Sequence, residues 1–248
     1  RLVGSVMCIR DRLLFFFVIS IYSQERIHWQ AYSFSIEGSD EDAVVTLLDK
    51  QFTSNKPDGV TAYLYNVAFS DSDFDATHQV IFTGTADAFN KMWSSPPNLE
   101  TQLFFSKMNN YSKDGGSSGN GTTIFNFNPD VVFPFQVVTI INSSSWSNRD
   151  TMRKNMETLN KKYPRDNRGT IHGSIRSGVH PEGTHYFVSG YLTYRDLLES
   201  DRDFRISNPE YMKDRNKLNR DVDWSTFKSV RKFTRVLVKK MVINKTQK

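Results

Sequence analysis

The chain has 248 residues, 38% of them hydrophobic and 13% aromatic, which is enough to fill a core and excludes wholesale disorder. Its net charge of +5 is unevenly spread: residues 24–128 hold 6 Lys/Arg against 13 Asp/Glu (−7), residues 129–248 hold 23 against 13 (+10), and the first 23 add +2. The basic half therefore has an acidic half of its own chain to face, and Cys8, the single cysteine, excludes an intramolecular disulfide and a thiolate metal centre.

The stretch Met7-Cys8-Ile9-Arg10-Asp11-Arg12 resembles a translated sequencing-library transposon end, so residues 1–12 are expected to be foreign to the native gene. The apolar run Leu13 to Ile21, followed by Tyr22-Ser23-Gln24, has the shape of a secretory signal core with cleavage near Ser23. It is shorter than the about 20 residues a bilayer span needs. Secretion or a periplasmic location is the implied destination, and a buried first strand is the competing reading.

Residues 28–36 alternate as a strand. Gly38-Ser39-Asp40 offers a turn and cap for a helix whose apolar stripe is Val44, Leu47, Leu48 and Phe52, stopped by Pro57-Asp58-Gly59. Strands follow at 60–69 and 77–84, a helix at 86–93, and its resumption past Pro96-Pro97 at 99–108. Residues 111–121, rich in Gly and Ser, are expected to be a flexible loop before a short strand at 122–128. The same order then recurs: strand 135–141, helix 148–163, a hairpin of 170–176 and 184–191, a helix 194–218 broken at Asn208-Pro209, and a long strand 227–240.

Residue matches suggest a duplication: Gln30 with Gln136 and Gly84 with Gly190 at a spacing of 106, Thr77-His78 with Thr184-His185 at 107. The order β-α-β-β-α-β is the ferredoxin-like plan, whose sheet is bare on one face. The fold expected is therefore α+β: two fused ferredoxin-like units, residues 24–128 and 133–240, packed sheet to sheet as a pseudo-dimeric α+β barrel, with a tail at 241–248. The run Val80-Ile81-Phe82-Thr83-Gly84, then Ala88-Phe89, Trp93 and Ser95-Pro96, echoed by Phe187-Val188-Ser189-Gly190, Leu197-Leu198 and Asn208-Pro209, resembles the dimeric α+β barrel superfamily. That superfamily includes antibiotic-biosynthesis monooxygenase-like and stress-responsive barrel domains. The resemblance implies a range from cofactor-free oxygenases to haem enzymes, and no catalytic signature carries over by residue.

For chemistry, alternation sets Ile171 and Ile175 under the helices and turns Thr170, His172, Ser174 and Arg176 toward the space between the units. His172 and Arg176 are the candidate catalytic pair, able to hold a carboxylate or enolate. Trp29, Tyr63 and Asn66 complete the expected ligand-binding set with His172, Ser174 and Arg176. Asp71-Ser72-Asp73-Phe74-Asp75 imitates the start of a calcium loop but has Ala76 and Phe82 where that loop needs Gly and Glu, so no metal is expected. The basic final strand, with Arg231 and Arg235 sharing a face with Phe233 and Leu237, is expected to pair with acidic groups of the first unit. No nucleic-acid partner, no transmembrane segment and no cofactor are expected, and the oligomeric state is open. The residues rank an exported, non-catalytic protein binding a small ligand or partner in the cavity first, and a cofactor-independent oxygenase- or isomerase-like enzyme second.

Overall fold

The computed structural model describes residues 26–54, 59–94 and 96–241; the expected foreign stretch, the signal segment and most of the tail lie outside them. In chain order the elements are β1 (His28–Ser35), α1 (Glu41–Ser54), β2 (Val60–Ser70), β3 (His78–Gly84), α2 (Ala86–Ser94), α3 (Leu99–Tyr111) and β4 (Lys113–Phe127). The second half runs β5 (Phe135–Ser143), α4 (Trp146–Lys162), β6 (Arg168–Gly178), β7 (His185–Tyr191), α5 (Tyr194–Ser207), α6 (Pro209–Asn219) and β8 (Phe227–Met241). The fold is thus α+β, with six α-helices and eight antiparallel strands among the described residues.

Polar residues set the helix starts. The Asn98 side chain accepts from the Thr101 N–H that opens α3, Ser145 accepts from the Asn148 N–H at α4, and Thr193 forms a capping box with Asp196 at α5. Pro209 supplies the first residue of α6, where a missing N–H costs nothing.

The strands close on themselves in the order β1-β3-β2-β8-β5-β7-β6-β4, with β4 returning to β1. The halves meet edge to edge at two seams: β2 with β8, where Asn66 lies opposite Val236, and β4 with β6, where Thr122 lies opposite Ser174. Closure leaves no sheet edge exposed. It also gives every strand an inner face turned to the lumen and an outer face that the helices cover in part. Outside the barrel, Val44 and Leu48 of α1 and Phe104 of α3 cover Val60, Leu64 and Phe82. Inside lies a second cluster built on Trp29, Tyr65, Ile81, Ile140, Tyr186 and Phe233.

Three expectations change. Residues 113–121 are strand, paired on both sides, with Gly119 opposite Ala31 and Gly178. Glycine is needed there for space: a Cβ on Gly121 would stand 2.6 Å from the Trp29 ring. Second, the acidic turn at 71–75 does more than reverse the chain: it plugs the barrel. Its Phe74 enters the barrel and meets Phe233 at 4.8 Å, while the Asp71 carboxylate accepts from the Lys232 N–H at 2.6 Å. Third, the 106-residue matches do not share faces. Gln30 and Gly84 belong to the outer side and Gln136 and Gly190 to the lumen, whereas His78 and His185, 107 apart, both point outward.

The segment joining β4 to β5 crosses one barrel end, where Phe133 is buried. Its ring rests on Gly169 and Gly190, directly paired glycines that flatten the wall. Gly190→Ala would set a Cβ 2.7 Å from that of Phe133. We expect a loss of about 1–3 kcal/mol in urea unfolding. Gly38→Ala, with open space around it, should stay within about 0.5 kcal/mol of the parent.

Candidate active site in the barrel lumen

The lumen holds a cavity of about 520 Å³. Exposed Asn126, Asp130, Val131 and Lys240 stand among its walls and mark a mouth at the end crossed by the connecting segment. Most of the wall is apolar, from Trp29, Ile81, Val138, Ile171, Val188 and Phe233. One connected polar group of the wall centres on Arg235.

Arg235 is only 8% exposed. Its Nε and Nη2 both donate to Gln136 Oε1, at 2.9 and 2.7 Å, and its Nη1 donates to Gln79 Oε1. The guanidinium lies over the Tyr65 ring, 4.2 Å from its centroid. Gln136 in turn donates from Nε2 to the Tyr65 hydroxyl and to the Phe133 carbonyl, both at 3.1 Å, and Gln79 donates to Ser33 Oγ at 3.0 Å. Each partner of Arg235 is neutral, and no carboxylate forms an ion pair with it among the described residues. Burial pulls the Arg235 pKa down, opposed by Tyr65 and Tyr186. A guanidinium nevertheless stays charged in proteins.

Burial also raises the phenol pKa of Tyr63, Tyr65 and Tyr186, so all three are protonated near neutrality. The Tyr186 hydroxyl meets Thr123 Oγ1 at 3.1 Å, and the Trp29 ring stands edge-on to it at 5.1 Å.

Of the residues picked out from sequence, Trp29 and Tyr63 line the cavity. Asn66 does not; it sits on the outer face of β2 with Leu64. On β6 the faces are reversed from expectation: Ile171 and Ile175 form cavity wall, His172 and Ser174 point outward, and Arg176 is exposed where the pairing with β4 shifts register. The reason is physical. Both faces of β6 are buried, so the apolar positions do not reveal which one meets the helices. The expected ion pairing of Arg231 and Arg235 is likewise corrected. Arg231 donates to the Val179 carbonyl at 2.8 Å and covers the Phe74 ring, and the cross-half ion pair of this strand comes from Lys239 to Asp49 at 2.8 Å. Gln79, Gln136 and Arg235 escaped the sequence reading as site residues. Their one visible signal was a cation on the apolar face of the last strand.

His172 is 2% exposed, stacked on Phe187 at 4.5 Å, with both ring nitrogens unpartnered and His185 5.7 Å away. Burial first, then His185 and nearby arginines, lower its pKa to about 3. Burial and Arg149 lower that of His185 to about 4. Both rings are neutral packing groups at ordinary pH. Some barrels of the resembled superfamily hold haem, whose iron takes His, Cys, Met or Tyr. Among the described residues the wall of this cavity has no His, Cys or Met, and the hydroxyls of Tyr63, Tyr65 and Tyr186 are already bonded, so these residues do not fit a haem.

No known protein-family profile and no curated protein matches the sequence. Solved structures do match the shape. A monooxygenase candidate from Fusobacterium nucleatum superposes with TM-score 0.57 at 12% identity, over 88% of this chain and 95% of that one. An anthrone oxidase-like protein gives 0.56 at 9% identity, over 88% and 93%. A monooxygenase candidate from Lactobacillus acidophilus gives 0.55 at 12% identity, over 88% and 95%. At these identities the likeness is one of fold alone, an α+β barrel. These names correct the ranking reached from sequence, which set non-catalytic binding first; the enzyme reading is the one carried forward.

The histidines give a pH test. A folded pKa near 3 against 6.5 unfolded means that His172 contributes fully above about pH 6.5 and loses its contribution as pH falls toward 3. Between pH 7 and pH 5 the loss is roughly 2 kcal/mol. His172→Phe should remove about that much of the acid sensitivity in urea unfolding. An unchanged pH dependence would show that His172 is not the group responsible.

Proposed function

We propose that the chain is a cofactor-independent oxygenase- or isomerase-like enzyme acting on a small organic substrate in the barrel lumen. The observation that carries this reading is Arg235: a buried cation facing a cavity, held by neutral groups alone. A charge fixed in a low-dielectric site stabilises an anionic species strongly because nothing must reorganise as that species forms. Gln79, Gln136 and Tyr65 hold the guanidinium in place, and the apolar wall keeps water from competing.

The chemistry such a site favours runs through an enolate. In the oxygenase form, the enolate carbon gives its electron pair to dioxygen and a C–O bond forms. The resulting peroxide anion takes up the proton the substrate had lost, and departure of water leaves a carbonyl. One dioxygen converts CH2 to C=O plus one water. In the isomerase form the same enolate is reprotonated at a different carbon and no dioxygen is used.

The solved neighbours with enzyme names support this reading through shape alone. The same proposal takes each half as one ferredoxin-like unit. The strand orders β4-β1-β3-β2 and β8-β5-β7-β6 support that division, with Asn128–Asp130 as the junction.

4,4,4-Trifluoro-1-phenylbutane-1,3-dione, a CH2 acid largely ionised near neutrality, is a suitable first probe. Dioxygen uptake with it should exceed the spontaneous rate in the parent protein. It should fall by about 10²–10³ in Arg235→Met, the loss seen when a charge-stabilising donor is removed. Uptake that survives the substitution in a folded protein would contradict the role of Arg235.

A further inference from the structure

The lumen has a charge to stabilise an anion but no group suited to making one. Its titratable lining consists of Arg235, the three tyrosines with raised pKa, and Asp130 and Lys240 at the mouth. Among the described residues no histidine faces it. A general base works best with a pKa near the operating pH. Protonated phenols inside and an exposed carboxylate at the rim do not meet that need.

The hydrogen-bond count on Arg235 adds a shape. A guanidinium has five N–H bonds, one on Nε and two on each Nη. The Nε–H and one N–H of each Nη are taken by Gln136 and Gln79. One N–H on Nη1 and one on Nη2 therefore remain. With Gln79 on the Nη1 hydrogen turned away from Nη2, as the inference requires, the two free donors share one edge and match two oxygens that share one negative charge.

We infer that the substrate enters already ionised, as the flat enolate of an acidic 1,3-dicarbonyl compound whose two oxygens share the charge. This rests on the enzyme reading above and names the substrate class of the same cavity. The two free N–H bonds of Arg235 take the oxygen pair, and the apolar body lies against Trp29, Ile81, Ile171 and Val188. Such a substrate supplies its own acidity, so the site needs no internal base. Gln136 is then a positioning residue: it holds the guanidinium through two N–H bonds and ties it to the Phe133 carbonyl at the barrel end.

The test is anaerobic binding, followed by tryptophan fluorescence, of three probes: the enolate of 4,4,4-trifluoro-1-phenylbutane-1,3-dione, naphthoate, and neutral naphthamide. The enolate should bind about tenfold or more tighter than the amide in the parent protein. Naphthoate bound tightly with the enolate ignored would overturn the assigned substrate class. Arg235→Met should erase the preference, and its fold, checked by circular dichroism, should persist because apolar replacement of a buried ion is well tolerated. Should that variant fail to fold, Arg235→Lys keeps the charge without the fork and should reduce the preference for the two-oxygen anions. Equal affinity for anions and amide, or a preference unchanged in the folded variant, would overturn the inference. Because binding is scored without turnover, its failure is separable from that of the enzyme reading. Turnover of a neutral substrate would sink this inference and leave the enzyme, and a tightly held anion that is never turned over would do the reverse.

Discussion

Closing eight strands into a cylinder gives each of them two hydrogen-bonded neighbours and one face turned to the lumen, and most of the molecule follows from that constraint. The β2–β8 and β4–β6 seams complete the ring, so each half supplies hydrogen-bond partners to the edge strands of the other. Helices of the first half cover an apolar outer wall through Val44, Leu48 and Phe104. The inner wall is too wide for its own side chains to fill. Phe74 plugs one end and Phe133 narrows the other, and the space between them is the cavity.

That enclosure sets the energetics of Arg235. Removing a guanidinium from water costs several kcal/mol even after relaxation, and amide oxygens return only part of it. Two glutamines and a tyrosine ring keep the charge fixed without neutralising it. A carboxylate in their place would have cancelled the field, leaving little for a ligand. The arrangement trades some stability for a strong, directed potential inside a largely apolar pocket, which is what anionic chemistry requires.

Much of the fold was legible in the residues. The stripe Val44, Leu47, Leu48 and Phe52, the breaks at Pro96-Pro97 and Asn208-Pro209, and the long last strand lie where periodicity and punctuation set them. The Gly/Ser-rich part of β4 was not legible, because its strand character comes from pairing with β1 and, from Gly119 on, with β6, and Gly121 is set by the close approach of the Ser174 carbonyl and the Trp29 ring. Site assignment failed on β6 for a related reason. Alternation separates two faces but does not say which is lumen when helices bury the other, and so His172 and Arg176 were favoured over the wall residues beside them. Arg235, Gln79 and Gln136 come from three strands far apart in sequence, and only barrel closure brings them together.

The central claim is that a buried positive charge in the lumen lacks a resident counter-charge and can be reached by an anion. Anomalous diffraction from crystals soaked in sodium bromide tests it directly. The account expects a bromide peak in the lumen within hydrogen-bond reach of Arg235 Nη1 and Nη2, lost in Arg235→Met. A lumen without bromide, or an Asp or Glu carboxylate found seated on that guanidinium, would contradict it.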